Sequence, residues 1–167
     1  MRVLLIYHSR TGATHKLMQA LGAEFGARNH HVTYIRLEAE KPLSYLGAGW
    51  AALRRREAKL KTDLPKSLMP YDLVIVAGPV HAGRTSAELN TFINGMPDAV
   101  GRRVAVFATM GGNGADNQLK YIKAGVERAG GLIIYEDAIR RDALGTPQSA
   151  SKIARDIVEQ VLRPSVW

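Results

Sequence analysis

Seven consecutive residues, His8-Ser9-Arg10-Thr11-Gly12-Ala13-Thr14, follow directly on the apolar run Val3–Tyr7 and open into a helical pattern. A hydroxyl-rich turn in that position suits a phosphate, because a helix start offers unpaired backbone N–H groups and the positive end of its dipole. Ser9, Thr11 and Thr14 add rotatable donors, while Gly12 lets the main chain close in without a Cβ. The same residues also suit a plain N-capped helix with Ser9 or Thr11 as the cap. The heptad alone leaves both readings open.

Two further turns belong with it. Gly78-Pro79-Val80-His81-Ala82-Gly83 leaves the apolar run Leu73–Ala77, and Thr109-Met110-Gly111-Gly112-Asn113-Gly114 leaves Val104–Ala108. Glycine costs conformational entropy and is expected where backbone turns sharply or approaches a ligand. Three such turns at the carboxyl ends of strands describe a binding rim shaped by main chain, the usual ligand edge of an open α/β sheet.

The elements that must position these turns alternate. Strand-length apolar runs recur at Val3–Tyr7, Val32–Leu37, Leu73–Ala77, Val104–Ala108 and Leu132–Tyr135. Between and after them stand stretches of helical spacing: Leu17, Leu21 and Phe25; Leu89, Phe92 and Ile93; Leu119, Ile122 and Val126; Ile153, Ile157, Val161 and Leu162. This is the beat of a β/α chain. The runs at 3–7, 73–77 and 104–108 are too uniformly apolar to face water, which predicts a parallel sheet covered on both sides. His31–Arg36 alternates and reads as an edge strand. Between Pro42 and Pro70 the pattern is least regular. It predicts a helix with a basic end, Arg54-Arg55-Arg56-Glu57-Ala58-Lys59-Leu60-Lys61, with Trp50 and Leu53 packed on the sheet and the charges solvated or docking an acidic partner.

Length and composition set the outer bounds. The chain has 167 residues, 46% hydrophobic and 23% charged, and is expected to form one domain over 1–167. With no cysteine, neither thiolate chemistry nor iron–sulfur ligation is available, so a redox role requires a borrowed cofactor. The apolar stretch after Met1-Arg2 is too short for a signal-peptide core and no stretch has membrane-span length, so a cytoplasmic protein is expected. A net charge of +8 favours anionic partners: nucleotides, phosphorylated ligands or an anionic membrane surface. Nucleic acid is disfavoured, since the basic residues are spread rather than interleaved with aromatics.

Other chemistries are opposed by particular residues, with a P-loop-like nucleotide-binding protein kept as a remote alternative. Gly78 to Thr85 mimics the G-x-x-x-x-G-K-[ST] phosphate loop, but Pro79 lacks an N–H where the cradle needs donors and Arg84 replaces the lysine. No G-x-G-x-x-G follows the first run, the acidic cluster of a phosphorylatable receiver is absent there, and no G-x-S-x-G elbow occurs. Histidines at metal spacing are missing too, His30 and His31 being adjacent, so no metal site is expected.

Together the three turns carry a specific likeness. Leu5 to Thr14 resembles the phosphate signature of the flavodoxin-like family of flavin mononucleotide (FMN) proteins, departing at Met18, where alanine is usual. Tyr71 to Arg84 resembles the family's second flavin loop, with His81 where a larger aromatic often stands, and Phe107 to Gly114 resembles the third. Gly49 to Leu53 resembles the corresponding segment of some bacterial and archaeal members.

The resemblance implies a three-layer α/β fold with a five-stranded parallel sheet in the order 2-1-3-4-5, and FMN at the first switch point. It implies that Ser9, Thr11 and Thr14, with the N–H groups from Arg10 through Gly12 and Ala13 to Thr14, hold the phosphate. It implies that Pro79, Val80, His81, Ala82 and Gly83 and the turn Thr109, Met110, Gly111, Gly112, Asn113 and Gly114 flank the ring system. His81 either meets the flavin or substrate as a donor or merely lines its loop.

Two functional classes follow from the resemblance. One is an oxidoreductase passing electrons from a reduced nicotinamide nucleotide, NAD(P)H, or a redox partner to a quinone-like acceptor. The other is a flavodoxin-type carrier docking on redox proteins. Carrier flavodoxins are strongly acidic by resemblance, so the basic charge favours the oxidoreductase.

Overall fold

The computed structural model describes residues 1–42, 44, 46–47, 50 and 56–163. Five strands form one parallel sheet: β1 (Arg2–Tyr7), β2 (His31–Arg36), β3 (Leu73–Pro79), β4 (Arg103–Met110) and β5 (Leu132–Arg140), in the order β2-β1-β3-β4-β5. The flavodoxin-like sheet expected from the sequence is therefore present, with β2 at one edge. Helices α1 (Ala13–Ala27), α2 (Ala87–Asn94), α3 (Ala115–Arg128) and α4 (Pro147–Leu162) cover it on both faces.

Alternation along the strands feeds two separate cores. Val3, Leu5, Leu73, Ile75 and Phe107 pack with Leu17, Met18, Leu21 and Phe25 of α1 and Ile157, Val158 and Val161 of α4. Leu4, Ile6, Val74, Val76, Val104 and Val106 pack with Leu89, Phe92 and Ile93 of α2 and Ile122 and Val126 of α3. Buried on both faces, each central strand reads as a continuous apolar run. Met18, the departure from the family pattern, is fully buried and fills the first core.

Residues 46, 47 and 50 are helical, but the basic stretch expected to end that helix departs from it. Arg56–Lys61 is extended and pairs antiparallel with 38–40: Lys61 N donates to Glu38 O (2.9 Å) and Glu40 N to Lys59 O (2.8 Å). The physical reason lies in α2, whose polar side chains capture this stretch. Asn90 Nδ2 donates to Arg56 O (2.9 Å), Ala58 N to Thr91 Oγ1 (2.9 Å), and the Thr91 hydroxyl to Ala58 O (2.7 Å). Once its backbone partners lie on other elements, a short charged run has no reason to coil. Trp50 is more than half exposed rather than packed on the sheet. Leu53, Arg54 and Arg55, with Gly49, Ala51 and Ala52, lie outside the described residues.

Candidate functional site

Register brings the three turns to one edge. Tyr7 pairs with Ala77 across β1 and β3, and Pro79 with Thr109 across β3 and β4, so each strand releases its turn at nearly the same height. Hydrogen bonds then tie the exits together: His8 N to Ala77 O (3.1 Å), Val80 N to Thr109 O (2.9 Å), and the buried hydroxyls of Thr14 and Thr109 to each other (2.7 Å).

The first turn enters α1 through Gly12 at φ +92°, with no side-chain cap on that residue. Nothing lies within 4 Å of where a Gly12 Cβ would stand. The first N–H groups of a helix have no intrahelical partner, so a helix start of this kind can seat an anion. Of its hydroxyls, Ser9 Oγ accepts from His15 N (3.1 Å), Thr14 is turned inward onto Thr109, and Thr11 stays at the exposed surface. The third turn repeats the device: α3 begins at Gly114, φ +100°, also without a side-chain cap.

Close approach explains the glycines of the second and third turns. A Cβ on Gly114 would meet Gly83 Cα at 2.6 Å, so these two turns touch main chain to main chain. His81 and Arg84 exchange both backbone hydrogen bonds (2.8 and 2.9 Å) around Ala82 (φ +47°) and Gly83 (φ +72°). Alanine in the left-handed region is strained, and such strain clusters at ligand-binding turns. The tight turn also disposes of the phosphate-loop mimic at 78–85. Its N–H groups at Val80, His81 and Arg84 are already spent, and the Thr85 hydroxyl is bound to Asn90 Oδ1.

Arg10, Thr11, Pro79, His81 and Thr109 line one crevice between these turns, together with Arg141, which sequence reasoning missed. Arg141 follows β5, held through Arg141 N to Met110 O (2.8 Å), and its guanidinium occupies the space where a Gly111 Cβ would be. The strand runs to Arg140 instead of ending at Tyr135, which carries Arg141 to the same edge. Into this crevice region His81 brings an enclosed Nε2 with no hydrogen-bond partner. Burial holds the His81 imidazole below its ordinary value, and His8, Arg10 and Arg141 push the same way against Glu88.

Residues 1–134 match the family model described as NADPH-dependent FMN reductase. The chain belongs to this family. Its flavin is FMN, and the fold is that of flavodoxin-like flavoproteins. A curated NAD(P)H dehydrogenase (quinone) of Archaeoglobus fulgidus is 28% identical over 95 residues, covering 56% of this chain and 50% of that protein. The match thus spans about half the length of the relative. Among solved structures, a flavoprotein of Bacteroides eggerthii has a TM-score of 0.71 at 20% identity, covering 98% of this chain and 99% of that one. A flavoprotein of Lactobacillus acidophilus, in complex with FMN, has a TM-score of 0.66 at 18% identity, covering 85% and 94%. The family's cofactor fits the residues present: an open helix start, a second uncapped start, two cations and an orphaned imidazole nitrogen share one edge.

Proposed function

We propose that this chain is an FMN-dependent oxidoreductase, a single flavodoxin-like domain in the cytoplasm, passing electrons from a reduced nicotinamide nucleotide to a quinone-like acceptor. The observation that carries the reading is the family match over 1–134, joined to an edge where two uncapped helix starts converge. When bound, FMN supplies the one- and two-electron chemistry that a cysteine-free chain lacks. Everything else is done by the polypeptide. Ser9 and Thr11, with the N–H groups from Arg10 to Thr14, hold the phosphate, and Thr14 braces that turn against Thr109. Pro79 to Gly83 and Thr109 to Gly114 wall the ring system, with His81 Nε2 as the donor or acceptor left for it. Arg141 adds positive charge at the rim.

Support for a nucleotide donor comes from the family description and from the A. fulgidus relative, whose name also supplies the quinone. The net charge of +8 suits an anionic donor better than it suits a carrier of the flavodoxin type. For contact with an anionic membrane that charge is the sole support. No helix among the described residues is long and apolar enough to cross one.

The test is a stopped-flow assay of FMN-loaded protein mixed with NADPH and a soluble quinone. Flavin bleaching by NADPH followed by steady turnover is expected. Bleaching absent with NADPH and NADH, but present with a reduced protein partner, would replace the enzyme by a carrier.

A further inference from the structure

On the β2 side of the phosphate turn lies a second cavity, of about 460 Å³, which shares Ser9 and Arg10 with that turn and extends beyond it to Arg36, Lys61 and Glu88. Its floor is polar and deeply buried: His8 and Glu88 are 9% and 8% exposed. His8 Nδ1 donates to the carbonyl of Leu37 at 3.0 Å, since a carbonyl can only accept. The other ring nitrogen faces Glu88 Oε2 at 3.6 Å, too far for a hydrogen bond. A carboxylate has up to four lone-pair sites, so beyond this contact with His8 the Glu88 side chain can accept from a group entering the cavity.

Cations gather at the mouth. Glu38 meets Lys61 Nζ at 2.8 Å and Arg36 Nε at 3.7 Å, and Arg36 also donates to Ser9 O at 3.1 Å. Arg10 stands beside them on the same cavity. Four side chains thus carry a net positive charge next to a hydrogen-bond acceptor. The Arg56–Lys61 segment is held there by Asn90 and Thr91 of α2 and by its pairing with 38–40. Lys61 is therefore placed by the fold rather than left on a solvated run.

We propose that this cavity binds the ribose-phosphate end of the nucleotide electron donor, a ribose hydroxyl donating to Glu88 and a phosphate lying against Lys61 and Arg36. The inference rests on the oxidoreductase reading. Hydroxyl and phosphate are the pair of groups that a buried carboxylate and a cationic mouth select together. The volume lies within the range of small-ligand sites.

The experiment is calorimetric titration of the FMN-loaded protein with adenosine 2′,5′-bisphosphate, and separately with inorganic phosphate. The bisphosphate is expected to bind and inorganic phosphate to bind far more weakly. Lys61→Met is expected to weaken bisphosphate binding roughly tenfold or more, and Glu88→Gln several-fold, with FMN affinity unchanged in both. The Lys61 side chain is 60% exposed, so its variant reports even if Glu88→Gln disturbs folding. No bisphosphate binding, binding indifferent to Lys61→Met, binding equalled by inorganic phosphate, or displacement of FMN by the bisphosphate would each overturn the proposal. Failure of the wild-type protein to take up FMN would instead sink the flavin reading, while the bisphosphate titration remains readable on flavin-free protein.

Discussion

Helices α1 and α4 share one core on the same face of the sheet, yet they begin in opposite ways. α4 is finished by its own sequence: Thr146 and Ser149 bond each other's backbone N–H groups at 3.1 and 3.2 Å, and Pro147 supplies a preset φ. α1 enters on a left-handed glycine with no side-chain cap. A cap is worth about 1 kcal/mol; here the N-cap residue supplies none, and Ser9 from the preceding turn takes the His15 N–H instead, at the edge where the other turns meet. α2 follows the middle turn and is capped by Ser86, which accepts from Leu89 N at 3.3 Å. Of the three turns, the first and third enter their helices on left-handed glycines whose own residue supplies no side-chain cap.

That contrast can be broken, most strongly at the main-chain contact. Gly114→Ala combines a left-handed φ with a backbone clash and is expected to cost about 2–4 kcal/mol in denaturant unfolding. A loss below 1 kcal/mol would mean that the second and third turns do not touch in solution. Next come paired cap variants. Thr11→Ala is expected to weaken FMN binding about tenfold with little change in stability. Thr146→Ala is expected to cost about 1 kcal/mol of stability and leave FMN affinity alone. Fluorescence titration and thermal melts of both variants distinguish the open end from the closed one, and the reverse outcome would exchange their roles.

Smaller effects sharpen the middle turn. Ala82→Gly relieves strain at φ +47° and is expected to raise stability by about 0.5 kcal/mol, the relief exceeding the entropy cost of glycine. His81 titrates lower in the folded protein than the ordinary imidazole value of about 6.5. The unfolded chain then binds the proton more readily, so stability is full above about 6.5 and is lost as pH falls from there through the lower folded value. His81→Gln should flatten the stability profile between pH 7 and pH 5, and an unchanged slope would assign it to other groups.

The sheet was legible because each central strand is buried on both faces, which writes its extent as an unbroken apolar run. Ends were harder. Beyond Tyr135 the strand continues as Glu136-Asp137-Ala138-Ile139-Arg140, where only Ile139 is fully buried, so its apolar signal fades before its hydrogen bonds do. That hid Arg141. The Glu88 side of the second cavity was hidden for another reason. His8 and Glu88 are eighty residues apart and meet only through the parallel crossing of β1 and β3, which no local spacing records. Arg56–Lys61 read as a helix end because charge alternation looks the same whether a segment coils or is pinned open by a neighbouring helix.

The central claim is that the open start of α1 grips a phosphate. Titrating the flavin-free protein with FMN and with riboflavin, which differ by that phosphate alone, tests it most directly. FMN is expected to bind about 100-fold more tightly, since several hydrogen bonds to a charged group separate the two ligands. Equal affinities would contradict the account, leaving the turn from Ser9 to Thr14 as an ordinary helix entry.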